Sequence, residues 1–307
     1  MKSSDAPNDT SGLVAGIAAF VTWGIVPGYW KLFSFIPAGE ILAHRFVWTC
    51  IFMVLLLSWQ QRWSEVLANL RSPRTAILCA ASGIAIAINW FVFIWAVNAG
   101  RVLETSLGYF MTPLVNVLFG AILLRERLSR AQLVSVLLAT SAILYLTLGF
   151  GKLPWVALTL CFSFGFYGLL RKVSGAASIP GLFLETTVIV PIALGWLLHI
   201  AGSSGGHFGN ANLPLSLLLL STGIVTGVPL LWFAYAARHL RLTTLGFLQY
   251  LAPSCSFFLG VFVFHEPFRR AQMITFALIW VALIIFTVDA VTRWRGTQSS
   301  ALEPVEM

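Results

Sequence analysis

The sequence predicts an all-α integral membrane protein with ten transmembrane helices, arranged as two inverted five-helix repeats with both termini in the cytoplasm. Three observations support this prediction: an apolar composition, an internal repeat and an uneven distribution of basic residues. Hydrophobic residues make up 58% of the chain, charged residues make up 10%, and the mean hydropathy is +0.87. A soluble core of ordinary size cannot cover so much apolar surface, so the surrounding solvent is a lipid bilayer.

The internal repeat matches residues 113–132 to residues 253–272 without a gap. Chance matches among Leu and Ala are common in so apolar a chain, but shared Pro, Glu, Arg and Gln residues at one constant offset are not. The matched pairs are Pro113/Pro253, Gly120/Gly260, Glu126/Glu266, Arg130/Arg270, Ala131/Ala271 and Gln132/Gln272. The same register extends back to Gly83 and Gly223. The chain is therefore a duplication of one unit.

Apolar runs between charges and turns predict five spans in each repeat. A hydrocarbon core about 30 Å thick needs roughly 20 apolar residues in a helix, and runs of this length indicate helices rather than barrel strands. The first repeat covers residues 12–148, with spans at 12–33, 38–58, 75–97, 103–124 and 129–148. The second repeat covers residues 153–290, with spans at 153–171, 181–201, 214–237, 242–264 and 270–290.

The basic residues predict which side of the membrane each loop occupies. With the N-terminus inside, cytoplasmic loops and tails hold thirteen of the 19 Lys and Arg residues, in agreement with the positive-inside rule. The net charge of +8 is therefore attributed to topology rather than to a nucleic-acid partner. Both polar tails, residues 1–11 and 291–307, are then cytoplasmic. Because each repeat has an odd number of spans, the second repeat inserts upside down, which favours alternating access in a transporter.

Pro113 and Pro253 are predicted near the middle of spans four and nine. Proline inside a helix removes one backbone hydrogen bond and frees the carbonyl four residues earlier, here that of Tyr109 and that of Gln249. Free backbone acceptors at the bilayer midplane are tolerated where they line a cavity, so symmetric breaks are typical of a transport site. Kinks that serve only helix packing are the alternative interpretation.

Polar and aromatic side chains near these breaks predict a substrate site. Asn and Gln supply donors and acceptors, and the faces of Trp and Tyr supply stacking area for a ring or a cation. Interhelical hydrogen bonds of roughly 0.6 kcal/mol each would explain any single member of the set. The candidate substrate-binding residues are Asn89, Trp90, Tyr109, Pro113, Asn116, Phe247, Gln249, Tyr250 and Pro253.

Ionisable residues within the spans are candidates for coupling or gating, namely Glu40, His44, Arg45 and Glu185. A charge in the bilayer costs at least about 2.5–3.5 kcal/mol unless it faces protein or water. Glu40 and His44 are four residues apart and share a helix face, so we expect them to form a cluster with Arg45. Aligning Ile36-Pro37 with Ile179-Pro180 places Glu185 of span seven within one turn of the positions equivalent to Glu40 and His44. Proton loading at alternate faces is one interpretation, and a structural ion cluster near a helix end is the other.

Two further groups of residues are interpreted as structural. Glu126 and Glu266 each precede a helix, where a carboxylate meets the positive end of the helix dipole. Tryptophans near span ends are expected to anchor the protein at the membrane interface. These tryptophans are Trp30, Trp59, Trp63, Trp155 and Trp294.

Several chemistries lack their sequence motifs. All four cysteines fall inside predicted spans without CxxC spacing, which argues against a disulfide framework or a zinc site, and neither a metal nor a cofactor is predicted. The phosphate-binding motif GxxxxGK[ST] is missing, which argues against direct ATP use. A membrane-embedded enzyme and a channel are the alternatives to a transporter. The chain has no GxSxG or HExxH motif and no glycine-rich carbonyl filter for them.

Six segments resemble the RarD family, which belongs to the EamA group of the drug/metabolite transporter superfamily. They are AFVTWGIVP (19–27), IPAGEILAHR (36–45), NWFVFIWAVN (89–98), SLGYF (106–110), SFGFYGL (163–169) and TLGFLQY (244–250). The resemblance covers nearly everything from residue 12 to residue 292. It implies a ten-helix permease of the bacterial inner membrane built from two EamA units, with a name linked to chloramphenicol.

The resemblance also implies the partners, which are a small-molecule metabolite or drug and the lipid bilayer. Efflux is the direction that the family's label favours. A proton gradient, exchange and the solute's own gradient are all compatible with the sequence as the driving force. A monomer and a homodimer are both compatible with it too, because ten helices can enclose a cavity within one chain.

Overall fold

A computed structural model describes residues 10–123, 128–150, 152–203, 206–209, 213–239 and 248–301, and all regular structure in these residues is helical. The helices of the first half are α1 (Thr10–Lys31), α2 (Ala38–Trp59), α3 (Trp63–Arg71), α4 (Pro73–Asn98), α5 (Val102–Leu123) and α6 (Arg130–Phe150). Those of the second half are α7 (Trp155–Ser174), α8 (Ser178–Gly202), α9 (Leu213–His239), α10 (Leu251–Phe258) with a π-helical turn at Leu259–Val263, and α11 (Arg270–Ala301).

Seven helices among the described residues are long and apolar enough to cross a bilayer, namely α1, α2, α4, α6, α8, α9 and α11. Helix α7 and the segment from Leu251 to Val263 are apolar but have shorter apolar stretches. The chain is therefore an all-helical, multi-pass membrane protein. The start of the predicted ninth span lies outside the described residues.

Helix α3 occupies a segment for which a loop is predicted. Its nine residues span roughly 14 Å, too little to cross a bilayer. Val66 on its apolar side is buried with Met53 and Leu57 of α2. At its start, Arg62 and Glu65 form an ion pair with a 2.6 Å contact. A single buried side chain leaves little hydropathy signal, which explains why the helix is not predicted.

Successive helices run in alternating directions between two ends of the bundle. We define end A by the loop that joins α1 to α2 and end B by the segment that joins α2 to α4. Cys79 near the start of α4 is buried with Leu57 near the end of α2, at end B. Trp95 near the end of α4 packs against Trp155 at the start of α7, with ring centroids 5.2 Å apart, at end A. Helices α1 and α7 therefore begin at opposite ends.

Packing between the two halves follows a pseudo-twofold pattern. Helix α4 packs on α7 as α9 packs on α1, and α5 packs on α7 as α10 packs on α1. Helix α2 packs on α9 as α8 packs on α4. The pairs α2 with α8, α5 with α10 and α6 with α11 join equivalent helices across the centre. The internal sequence repeat is thus expressed as a repeat in three dimensions, and the halves meet over most of their helices.

Two glycines of the repeat allow equivalent helix crossings. A Cβ atom on Gly83 of α4 would lie 2.6 Å from the backbone oxygen of Glu185 on α8. A Cβ atom on Gly223 of α9 would lie 2.5 Å from the backbone oxygen of Trp48 on α2. Small residues at such positions let two helix backbones approach closely within a membrane. This contact explains why the register of the repeat includes both glycines.

Glu266 caps a different helix from the one predicted. Its carboxylate accepts hydrogen bonds from the backbone N–H groups of Val102 at 2.7 Å and Leu103 at 2.9 Å, at the start of α5. The prediction that it serves the helix following it, α11, is wrong. The backbone N–H of Glu266 donates to the Gly260 oxygen at 2.9 Å, which turns this segment back over the π-helical turn and towards α5. Glu126 lies outside the described residues.

We expect Gly83→Ala and Gly223→Ala each to destabilise the bundle by about 1–3 kcal/mol, because the added methyl group must displace backbone atoms of the facing helix. The matched control is Gly195→Ala on α8, where an added Cβ meets nothing within 4 Å. The melting temperature of detergent-purified protein, followed by fluorescence-detected size exclusion, measures the effect. Equal melting temperatures for all three variants would contradict the assigned crossings.

Candidate functional site

Arg45 of α2 is buried between the two halves, with 8% of its surface exposed. Its Nε donates a hydrogen bond to Thr226 Oγ1 of α9 at 3.0 Å. Its Cζ lies 3.7 Å from the ring centroid of Trp90 on α4 and 5.0 Å from that of Trp30 on α1. A desolvated cation over an indole face gains about 2 kcal/mol or more. Arg45 is therefore the centre of a cluster drawn from four helices, which we call the Arg45 cluster.

Asn89 and Tyr109 connect the Arg45 cluster to α7. The Asn89 amide is fully buried and donates to the Leu160 oxygen and to Ser163 Oγ, both at 3.0 Å. The hydroxyl of Tyr109 donates to Asn89 Oδ1 at 3.0 Å. Asn89, Trp90 and Tyr109, three predicted substrate-binding residues, thus lie together beside a predicted coupling residue.

The other predicted substrate-binding residues in the first half lie farther along α5. Pro113 is partly buried inside this helix. Asn116 is exposed, and its Oδ1 would lie 3.2 Å from a Cβ atom on Gly165 of α7. Both follow Tyr109 in the direction of end B. They adjoin the Arg45 cluster through Tyr109 rather than through contacts of their own with Arg45.

The second proline does not lie in the middle of a described helix. Helix α10 begins at Leu251 after a turn at Gln249 and Tyr250, so Pro253 lies in its first turn. A proline there removes an N–H group that a helix start leaves unpaired in any case. The carbonyl of Pro253 accepts a hydrogen bond from Ser106 Oγ at 2.7 Å.

Tyr250 lies in a different part of the bundle from the Arg45 cluster. The partly buried ring of Tyr250 packs against the apolar cluster formed by α5, α6, α7 and α11, and its hydroxyl pairs with Thr287. Gln249 is partly buried. Phe247 lies outside the described residues. The two prolines therefore do not mark one shared set of side chains, because only the α5 proline interrupts a long described helix.

The spacing of Glu40 and His44 predicts one ion cluster with Arg45, but the structure shows that they do not form it. The Glu40 carboxylate accepts a hydrogen bond from the backbone N–H of His207 at 2.7 Å and contacts His207 Nδ1 at 2.9 Å. His44 Nδ1 accepts from Trp48 Nε1 at 3.2 Å. The loop after α8 folds over the start of α2 and brings His207 there. No spacing or motif in the sequence indicates that contact.

Glu185 of α8 is fully buried at the opposite end of the α2–α8 pair. It accepts hydrogen bonds from Ser82 Oγ at 2.7 Å and Arg171 Nη1 at 3.3 Å, and Tyr167 OH lies at 3.4 Å. Leu184 next to it is buried with Met53 of α2, roughly 20 Å of helix from Glu40. The sequence analysis counts Arg171 only as one of the cytoplasmic basic residues. Its position at the end of span six was nevertheless a signal that it could pair with a buried carboxylate such as Glu185.

The sequence predicts Trp30 to be an interfacial anchor, but the structure places it in the buried site. It is 1% exposed and packs against Tyr29 and Phe33 as well as facing Arg45. Trp59, in contrast, is 81% exposed and fits the predicted anchoring position. Because Trp30 follows Pro27 near the end of α1, its position along the chain resembles that of a membrane anchor, and only packing reveals its burial.

Buried apolar side chains pack at both ends of the bundle. At end A, a cluster of buried apolar side chains from α1, α2, α4, α5, α7 and α9 closes the space above Arg45, including Trp30, Phe33, Ile36, Val97, Val102 and Leu219. At end B, a second cluster of buried apolar side chains from α2, α3, α4 and α8 includes Met53, Leu57, Val66, Cys79 and Leu184. A shallow surface cleft of about 550 Å³ lies between α1 and α9 at this end, lined by Thr10, Ser11, Val14, Ala15, Ala18 and Trp232. The Arg45 cluster thus lies below the apolar side chains of end A and brings a cation, an amide and aromatic rings together between the two halves.

Sequence comparison supports the predicted resemblance. The profile of the EamA-like transporter family matches residues 10–148. Protein RarD of Salmonella typhi is 46% identical over 291 residues, covering 95% of this chain and 99% of the relative. The uncharacterized transporter YojE of Bacillus subtilis is 44% identical, covering 94% of this chain and 97% of the relative.

A more distant relative and a solved structure extend the comparison. The chloramphenicol-sensitive protein RarD of Pseudomonas aeruginosa is 31% identical, covering 91% of this chain and 94% of the relative. One crystal structure, 20% identical, shares the fold with a TM-score of 0.58 over 91% of this chain and 98% of the other. The predicted family is confirmed: the chain belongs to the RarD family of EamA-like membrane transporters, within the drug/metabolite transporter superfamily.

Proposed function

We propose that this protein is a secondary carrier of the bacterial inner membrane that exports small metabolites or drugs by alternating access between two inverted five-helix repeats. The observation that carries the proposal is the position of the Arg45 cluster. It is buried at the interface between two halves of equivalent packing, and both halves contribute side chains. Carriers with inverted repeats place their substrate sites at such an interface.

The helix directions support ten spans with both termini in the cytoplasm. Helices α1 and α7 begin at opposite ends, which is the relation that two inverted units require. End B receives Arg62, Arg71 and Arg74 from the segment between α2 and α4, and basic loops face the cytoplasm under the positive-inside rule. End A is then the outer end, and residues 12–148 and 153–290 are the two units.

Hydrogen bonds that cross between the halves support a rocking motion at the site. Arg45 binds Thr226, Asn89 binds Ser163, and Tyr29 OH lies 2.8 Å from Ser221 Oγ. Each bond joins a helix of the first unit to a helix of the second. Rotation of one unit against the other would exchange these partners for a solute or for water. With end A closed by apolar packing, the described conformation corresponds to a state closed to the outside.

The chemistry of the lining supports a small amphipathic substrate. Trp90, Trp30 and Tyr109 supply aromatic faces, while Asn89 and Arg45 supply polar groups. Aromatic faces stack on rings and Asn both donates and accepts hydrogen bonds. The name of the Pseudomonas relative, a chloramphenicol-sensitive protein at 31% identity, supports testing chloramphenicol-like compounds. The drug/metabolite label of the superfamily supports efflux.

The buried carboxylates at opposite ends support proton coupling as the driving force. Glu40 pairs with His207 at end A, and Glu185 pairs with Arg171 at end B. Each would be reached by water from a different side during alternating access. A carboxylate inside a membrane protein that has a titratable or cationic partner is typical of a proton relay.

Counterflow tests the carrier proposal. We expect purified protein in liposomes preloaded with an unlabelled substrate to accumulate the same labelled compound transiently above its external concentration, because a carrier exchanges bound solute across the membrane. Chloramphenicol and a panel of neutral and charged metabolites are the compounds to measure. Flux that never saturates would indicate a channel, and conversion of an added lipid or solute would indicate an enzyme.

Single-cysteine labelling tests the inverted topology. In a protein whose four native cysteines are replaced by alanine, we expect a membrane-impermeant maleimide to label Phe35→Cys and Leu153→Cys in intact spheroplasts. Leu70→Cys and Val173→Cys should react only after permeabilisation. All four side chains are exposed in the structure, so a difference in labelling would report the side of the membrane rather than burial. Labelling of Phe35→Cys and Val173→Cys from one side would contradict the inversion.

Substitution of Glu185 tests the coupling. We expect Glu185→Gln to abolish transport driven by a pH gradient while substrate exchange continues, because an amide cannot carry the proton. Glu65→Gln, at an ion pair on α3, is the matched control and should leave both activities unchanged. The melting temperature confirms that the variants are folded. An unchanged pH dependence in folded Glu185→Gln protein would assign Glu185 a purely structural role.

A further inference from the structure

The Arg45 cluster contains two buried hydrogen-bond donors that have no partner. These are Arg45 Nη1 and Trp30 Nε1, and neither has a partner within the described part of the chain. Trp30 is 1% exposed and Arg45 is 8% exposed. A buried donor that is left unpaired costs about 1–3 kcal/mol, and more when it is charged. Two such donors in one cluster indicate that the site is built to receive an acceptor.

The charge of Arg45 also lacks a counterion. No carboxylate oxygen of the described residues lies within 4.0 Å of the guanidinium. Glu40, one turn earlier on α2, is engaged by His207. Arginine stays protonated under all physiological conditions, so the positive charge persists between the two halves. An uncompensated cation at this depth attracts a solute with one negative charge.

The guanidinium is held in position before any solute binds. Its Cζ lies 3.7 Å from the centroid of the Trp90 ring, and that ring in turn packs against Phe46 with centroids 5.2 Å apart. Thr226 accepts a hydrogen bond from Nε. The contact with the Trp90 ring and the Nε hydrogen bond thus hold the fork in place and leave Nη1 available. A fixed guanidinium plane matches the plane of a carboxylate, to which it donates charge-assisted hydrogen bonds.

We propose that the substrates of this carrier are monocarboxylates with an aromatic or apolar body, bound through the carboxylate by Arg45 and the Trp30 indole N–H. The inference rests on the proposed function and narrows its substrate class. A single cation balances one negative charge, so a phosphate dianion would leave an excess charge in the site. The rings of Trp90, Tyr109 and Phe93 surround the cluster. They suit a substrate whose remaining part is aromatic or apolar, because such a group packs against rings and is poorly solvated by water.

Binding to the full-length protein in detergent tests the inference. The probes are benzoate, phenylacetate and indole-3-acetate, each compared with its neutral amide, together with inorganic phosphate. We expect the carboxylates to raise the melting temperature while the amides and phosphate do not. Trp30→Phe keeps the aromatic ring and removes the N–H, and Arg45→Gln keeps a similar size and removes the charge. Arg62→Gln, at an ion pair near end B, is the control for loss of a cation elsewhere.

The expected losses follow from the bonds removed. Arg45→Gln should weaken carboxylate binding by at least about tenfold, because a hydrogen bond to a charged group contributes about 1.5–3 kcal/mol. Trp30→Phe should weaken it by a smaller factor, and Arg62→Gln should leave it unchanged. Arg45→Lys separates charge from geometry, since the ammonium lacks the planar fork. If Arg45→Gln does not fold, Trp30→Phe alone still measures the effect.

Two outcomes would overturn the inference. One is equal stabilisation by an amide and its carboxylate, and the other is the failure of every carboxylate to bind at millimolar concentration. Counterflow with the same compounds separates the two proposals. Saturable exchange of a neutral compound such as chloramphenicol by a protein that binds no carboxylate would refute the monocarboxylate class and retain the carrier. The absence of counterflow for every compound, with carboxylate binding intact, would refute the carrier and retain the anion site.

Discussion

The guanidinium of Arg45 over the indole of Trp90 is the contact on which the centre of this protein depends. A charge at this depth is tolerated only when the surrounding protein replaces the water it has lost. Trp90 supplies a π face and Thr226 supplies an acceptor, from opposite halves of the chain. Neither half could bury this cation alone, so the site exists only where the halves meet.

The duplication makes that meeting place symmetric. Gly83 and Gly223, which are equivalent in the repeat, let α4 approach α8 and α9 approach α2 at backbone distance. The helices of these two crossings also carry most of the Arg45 cluster and the two buried carboxylates, Glu40 at end A and Glu185 at end B. The proposed movement of one half against the other would change the central cluster and both ends together, which alternating access requires.

Much of the fold and part of the site could be predicted. Apolar length reports directly on bilayer thickness, and seven described helices that are long and apolar enough to cross a bilayer coincide with predicted spans. The sequence groups Asn89, Trp90 and Tyr109 in one candidate site because polar groups near a proline break are rare in a membrane span, and the structure brings these three side chains together. The hydrogen-bond partners of Glu40, Glu185 and Glu266 could not be predicted from the sequence. Each lies on another helix or loop, at a separation that no local periodicity records.

Hydropathy and repetition are properties of the chain as written, so a membrane-embedded, duplicated helical transporter could be predicted before any contact was known. Tertiary structure decided which polar groups face one another. Trp30 reads as an interfacial anchor in the sequence and is buried over Arg45 in the fold. Glu266 precedes one helix and caps another. The physical reason is that the energy of a buried polar group depends on its nearest atoms, and only packing between the two halves supplies them.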